Sequence, residues 1–178
     1  PVAVHPMSFG LFSGLGKTRE VVLFDTLVEK LDDEEILSVL AHELGHAVHK
    51  DVLRMLVLQI AMFGLYAVVI GFILQSALLA QAFGLSGVHL GFSLILFSIL
   101  ISPLELILTF PLNYLSRKAE YAADAFATKY AGKEPTMNAF RVLAQENLAN
   151  LTPHPLYVLM HYSHPTIPQR LEAISEFN

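Results

Sequence analysis

The sequence predicts a mainly α-helical, integral-membrane fold, in which a helical domain with a small edge sheet is interrupted by a two-helix transmembrane hairpin. Three observations predict it. Fifty consecutive residues, Met55 to Leu104, contain no Asp, Glu, Lys or Arg, which two membrane spans require and a soluble core helix does not. The chain as a whole is 54% hydrophobic and only 15% charged. The segments on either side of the apolar stretch carry helix start and stop signals instead. The net charge of −5, with no Lys/Arg cluster, argues against a nucleic-acid partner. Cysteine is absent, which excludes disulfides and thiolate metal sites. The chain begins Pro-Val-Ala-Val without an initiator Met and reads as the later part of a longer protein.

Residues 1–54 are expected to hold edge strands and a helix with two histidines. Val21-Val22-Leu23-Phe24 reads as a strand after a turn through Gly14, Gly16 and Lys17. The free edge of such a sheet can take an extended peptide as an added strand. Asp32-Asp33-Glu34-Glu35 is a helix start, with Asp32 as cap and Glu35 at the capping-box position. Ile36, Leu37, Leu40, Leu44 and Val48 recur at helical spacing and are expected to form the buried face.

Within that helix, residues 42–46 read His-Glu-Leu-Gly-His. His42 and His46 are one turn apart, share a face, and offer the bite that Zn²⁺ takes from two nitrogen ligands. Glu43 lies about 100° around the helix from His42, where it reaches a water without displacing it.

Residues 55–110 are the predicted hairpin, with spans near 55–83 and 89–110 and a break at Leu85-Ser86-Gly87. Lys50 and Arg54 precede the first span and Arg117 and Lys118 follow the second, while the connecting loop has neither residue type. The positive-inside rule then puts both outer ends, and the two histidines, on the cytosolic side. Glu105 is the one acid in the second span, either a functional carboxylate or a group reaching the interface. Pro111 is expected to kink or end that span. His89, beside the outer loop, is assigned no role.

Residues 111–178 complete the first domain. A helix over 112–131, closed by Gly132, carries Glu120 and Asp124 on one face. One carboxylate on that face suits a third zinc ligand, and the other suits a hydrogen-bond acceptor for a ligating histidine. Thr136 is read as the cap of a helix running to about Asn150, with Phe140, Val142, Leu143 and Leu148 on its apolar side. Thr166 is read as the cap of the last helix. His164 and Arg170 flank that start and are candidate donors to an oxyanion or a substrate carboxylate.

Taken together, Val22-Leu23-Phe24-Asp25-Thr26-Leu27, the His42–His46 motif, Ser116-Arg117-x-x-Glu120-Tyr121-x-Ala123-Asp124 and Ser163-His164-Pro165…Arg170-Leu171 resemble the type 1 CAAX prenyl protease family, integral-membrane zinc endopeptidases of the gluzincin kind. The resemblance covers nearly the whole chain. It implies one Zn²⁺ per chain on His42, His46 and Glu120, Glu43 as general base, Asp124 behind the ligands, and His164 and Arg170 at the substrate. It also implies several membrane helices upstream of residue 1. The implied partners are a peptide or protein substrate, prenylated or membrane-associated, and the lipid bilayer; the implied location is a membrane, with the zinc site facing the cytosol. One departure stands out. Where family members commonly carry Asn-Ala on the substrate-side strand, a gapless count back from the Leu-Phe-Asp-Thr-Leu block reaches Phe9 and Gly10. Two other readings remain beside this one: a heat-shock-type membrane quality-control zinc protease, and a non-catalytic membrane scaffold that retains zinc. Glu43 speaks against the scaffold, because a structural site has no use for a general base.

Overall fold

The computed structural model describes residues 10–13, 20–23, 29–146 and 148–177. Two strands come first, β1 (Gly10–Ser13) and β2 (Glu20–Leu23). Among the described residues seven helices follow: α1 (Asp33–His49), α2 (Asp51–Gln75), α3 (Ala77–Ala82), α4 (Leu90–Ala131), α5 (Lys133–Glu146), α6 (Pro155–His161) and α7 (Ile167–Glu176). The chain divides into two compact units, Pro1–Asp51 with Leu112–Asn178, and Val52–Pro111.

In the first unit, β1 and β2 pair antiparallel with Gly10 opposite Leu23 and Ser13 opposite Glu20. The expected strand is therefore present over its first three residues, while the turn at Gly14–Lys17, residues 24–28 and Phe9 lie outside the described residues. β1 runs beside α1, α1 packs on α5, and α5 packs on α7. α1 starts with the expected capping box: the Glu35 N–H donates to Asp32 Oδ1 at 2.8 Å, and the Asp32 N–H donates to Glu35 Oε2 at 3.1 Å. Both satisfy backbone donors that a helix start leaves without partners.

The buried face of α1 differs in part from expectation, for Ile36 and Leu40 are partly buried but the other three are not. Leu37, Leu44 and Val48 are 50%, 49% and 55% exposed, whereas Ser38, Ala41 and Gly45 are buried. Small residues win this face because another backbone comes close to it. A Cβ on Gly45 would stand 3.1 Å from the Ala123 Cα and 3.2 Å from the Phe126 Cβ. Ala123, Ala127 and Asp124 of α4 are fully buried. Ser38 adds a buried polar link, its Oγ 2.9 Å from Thr136 Oγ1.

Thr136 is not the cap of α5. That helix starts at Lys133, directly after Gly132, whose φ of 97° is open to glycine and disfavoured for other residues. The Thr136 hydroxyl instead donates back to the Gly132 carbonyl at 2.7 Å, inside the first turn. α5 ends at Glu146, and Leu148 is 91% exposed rather than on the apolar side. Thr166 does cap α7, in a capping box with Gln169.

The second unit holds the expected hairpin. α2 has 25 residues, about 38 Å at 1.5 Å per residue, enough to cross a hydrocarbon layer of about 30 Å. It ends at Gln75, and Ser76 caps the short α3, so the first apolar run is two helices rather than one. Only 6% of the most apolar window of α2 and 17% of that of α4 are buried, as suits helices whose solvent is lipid. Serine and threonine hydroxyls on α4 bond back into the helix, Ser98 to the Leu94 carbonyl at 3.1 Å and Thr109 to that of Glu105 at 2.8 Å.

The break at Leu85-Ser86-Gly87 lies between α3 and α4 as expected, but α4 does not end at Pro111. It continues through both Pro103 and Pro111 to Ala131, so the second span and the helix carrying Glu120 are one element. Each proline removes a single hydrogen bond, which a long helix absorbs where its neighbours are satisfied. The membrane reading applies to the apolar first half, up to Pro111.

Candidate metal centre

Two helices bring the predicted ligands together. α1 places His42 and His46 one turn apart, and the close approach at Gly45 lets α4 present Glu120 to both. One donor atom from each of His42, His46 and Glu120 lies within 4.8 Å of the others. The two Nε2 atoms are 3.2 Å apart. His42 Nε2 is 3.5 Å from Glu120 Oε2, and His46 Nε2 is 3.5 Å from Glu120 Oε1. Ligands about 2.1 Å from a tetrahedral zinc stand about 3.4 Å from one another, so the donor set fits that ion.

The far sides of the two rings strengthen the fit. His42 Nδ1 is 2.9 Å from Asp124 Oδ1, and His46 Nδ1 is 3.0 Å from Asp51 Oδ2. With each Nδ1–H donated to a carboxylate, both Nε2 atoms turn lone pairs toward a third lone-pair donor, Glu120. Such convergence is repulsive without positive charge among the three. Protonation follows the same logic. Burial opposes a charged His42, yet the hydrogen bonds to Asp124 and Glu120 prevail and raise its pKa. Burial likewise pushes Glu120 up, but its bond to His42 and the charges of Arg170 and His42 override this and hold it at about 2.

Glu43 is half-buried beside the cluster. Burial raises its carboxyl above the ordinary range, while the nearby His42 and His46 pull the other way. His164 is 55% exposed along its side chain, with Nε2 3.3 Å from Glu120 Oε1 and Nδ1 2.9 Å from the Ser163 hydroxyl.

Arg170, the other sequence candidate for the substrate side, is buried. Only 8% of it is exposed. Its Nε donates to Asp124 Oδ2 at 2.8 Å and its Nη2 to Asp124 Oδ1 at 2.5 Å, a bidentate pair. Nη2 also stands 3.4 Å from Glu120 Oε2, and the guanidinium carbon lies 4.0 Å over the Phe140 ring. Its Nε and Nη2 are thus turned to the carboxylates of Asp124 and Glu120 and to the His42 ring. Asp51 is a residue the sequence reading missed: it lies five positions after His46, a spacing that on one continuous helix points about 140° away.

Comparison with known proteins identifies the family of the chain. The pattern of peptidase family M48 matches residues 8–178. The chain belongs to peptidase family M48. It is similar to a CAAX prenyl protease 1 homolog of Oryza sativa subsp. japonica, at 38% identity over 92% of this chain and 39% of that protein. It is also similar to CAAX prenyl protease 1 of Saccharomyces cerevisiae, at 34% over 92% and 40%, and to an uncharacterized metalloprotease, YhfN, of Bacillus subtilis, at 32% over 90% and 38%. Among solved structures it is similar to S. mikatae Ste24p, with a TM-score of 0.81 and 32% identity over 93% of this chain and 42% of that one. The chain spans about two fifths of the length of these relatives. M48 is a metalloprotease family, which agrees with a metal on His42, His46 and Glu120.

Proposed function

We propose that this chain is the catalytic portion of a membrane-embedded zinc metalloendopeptidase that hydrolyses peptide bonds near the cytosolic membrane face. The observation that carries the reading is the convergence of His42, His46 and Glu120 within 4.8 Å, from two helices separated in sequence by the apolar hairpin. These three residues would hold one Zn²⁺, and such an ion supplies a Lewis acid that polarises a scissile carbonyl and makes a water more acidic.

The remaining steps belong to the protein. Glu43, its carboxyl raised by burial, takes the proton of the attacking water and returns it to the leaving amine. His164 is exposed on one side and turns Nε2 toward Glu120 on the other, so it donates to the oxygen that gains charge when the carbonyl becomes tetrahedral. Asp124 holds the Nδ1–H of His42 and so fixes which ring nitrogen faces the ligand cluster. Arg170 acts one step further back, orienting Asp124 and offsetting its buried charge. Among the described residues β1 and β2 form a two-stranded pair, and an edge of such a pair can take an extended substrate as an added strand.

The names of the CAAX prenyl protease relatives point to peptides bearing a C-terminal prenylated cysteine as the first substrates to try. The test is made on the full-length protein in detergent, with one peptide offered with and without a C-terminal farnesyl-cysteine. Zinc-dependent cleavage of the lipidated form above the plain one supports CAAX-type processing, and equal cleavage of both supports a membrane protease of broad specificity. No cleavage of either by zinc-loaded protein sinks the peptidase reading.

A further inference from the structure

The reading above gives His42 a carboxylate partner in Asp124 and leaves His46 without an assigned one. We infer that Asp51 is the positioning residue for His46, fixing its ring so that Nε2 faces the metal. The inference rests on the zinc-peptidase reading and adds a residue to it.

The geometry comes from the junction between α1 and α2. α1 ends at His49, and Lys50 follows in the left-handed region at φ 59°, ψ 35°. That turn breaks the helical progression and starts α2 at Asp51. The carboxylate thereby comes back against a residue five positions earlier, with Oδ2 3.0 Å from His46 Nδ1. A left-handed lysine carries a steric cost that glycine would avoid, and the contact gives this tight junction a use.

A plainer account would make Asp51 a first-turn acid favoured by the positive end of the α2 dipole. Such acids act from the solvent-exposed surface and do not need burial. Asp51 is only 6% exposed, which costs an ionised carboxylate far more than a surface dipole contact returns. A hydrogen bond from a histidine whose other nitrogen faces a cation site accounts for the burial, because the donated Nδ1–H gains acidity from the metal and the carboxylate makes Nε2 a better ligand. Asp51 thus does for His46 what Asp124 does for His42, at nearly the same distance. Both Nε2 atoms are then held with their lone pairs toward Glu120.

The test measures zinc affinity, by competition with a chelator, on full-length protein carrying Asp51→Asn, Asp51→Ala or the exposed-acid control Asp33→Asn. Melting of each metal-free form is followed alongside. Asn keeps the size and an acceptor oxygen but loses the charge, so Asp51→Asn should weaken zinc binding about 10-fold and Asp51→Ala up to about 100-fold. Asp33→Asn should bind as wild type does, and metal-free Asp51→Asn should melt close to wild type. If Asp51→Ala does not fold, Asp51→Asn decides alone. Wild-type zinc affinity in Asp51→Asn overturns the assignment, as does a loss matched by an equal fall in metal-free stability. If the wild-type protein takes up no zinc, or His46→Ala binds it as tightly as wild type, the zinc-peptidase reading itself has failed. The assignment then falls with it.

Discussion

Glu43 and Arg170 are both charged neighbours of the ligand cluster, yet their surroundings give them different work. Glu43 is half-buried, and burial raises its carboxyl above the ordinary value, which makes it a better proton acceptor. Glu43→Gln is expected to keep one zinc per chain and lose about 10²- to 10⁴-fold in turnover, while His46→Ala should lose metal and cleavage together; metal content and peptide hydrolysis on the same preparations check both. Arg170 is buried in a bidentate pair with Asp124. Arg170→Met should cost about 3–5 kcal/mol, because it leaves the Asp124 charge buried and uncompensated. Arg170→Lys should recover only part, since an ammonium cannot reproduce the fork. The check is thermal melting of metal-free protein: an Arg170 variant that melts as wild type does but turns over slowly would return Arg170 to the substrate. The legible part of this site follows from local spacing. His42, Glu43 and His46 sit within one turn and a quarter of helix, so their relation is written in the sequence. Glu120 and Asp124 show their shared face but not which of them meets the metal; the structure sets Glu120 between both Nε2 atoms and Asp124 behind His42. Asp51 was illegible because its contact depends on the backbone turning at Lys50, which no periodicity encodes.

At the scale of elements, the distance between α1 and α4 controls whether Glu120 reaches the histidines. Gly45 sets that distance, with the Ala123 backbone 3.1 Å from where a Cβ would stand. Gly45→Ala brings two opposed terms: about 1 kcal/mol of better helix propensity, and about 1–3 kcal/mol of overpacking where the nearest atom is backbone and cannot swing aside. The net effect on folding is therefore small and unfavourable. Zinc binding should suffer more, because Glu120 lies one turn before Ala123 and moves with it. The expected result is a several-fold loss of zinc affinity with a modest fall in melting temperature, and an affinity at or above wild type would show that α4 has slack. The same contact explains why the buried face of α1 was misread. Hydropathy ranks Leu37, Leu44 and Val48 above Ser38, Ala41 and Gly45, but at a close helix crossing small size outranks hydropathy. Likewise Pro111 suggests a kink or an end because proline is judged by the bond it removes, and α4 passes through it to Ala131. The capping box of α1 and the Thr166 cap of α7, by contrast, are legible in the sequence, being satisfied within four consecutive residues.

For the whole molecule the decisive question is which way the hairpin crosses the bilayer. Its two helices long and apolar enough to cross a membrane and its CAAX prenyl protease relatives mark it as a membrane protein; orientation rests on charge alone. Lys50 and Arg54 stand before the first span and Arg117 and Lys118 after the second, with neither residue type between, so the positive-inside rule places residues 50–54 and 117–118 in the cytosol and the loop near Ser86 across the membrane. The absence of cysteine from this chain makes the prediction simple to check. Ser86 and Lys118 are both exposed and lie outside the ligand cluster. Single Ser86→Cys and Lys118→Cys variants of the full-length protein, with any cysteines upstream replaced, can be treated with a membrane-impermeant maleimide in intact cells of a bacterial host. Ser86→Cys should label in intact cells, and Lys118→Cys only after the membrane is opened. The opposite pattern would turn the zinc site away from the cytosol and with it the compartment of any substrate. Equal labelling of both in intact cells would mean that α2 and α4 do not cross the bilayer as a pair, leaving the exposed apolar surfaces of Phe63, Phe72 and Ile107 to be covered by protein rather than lipid.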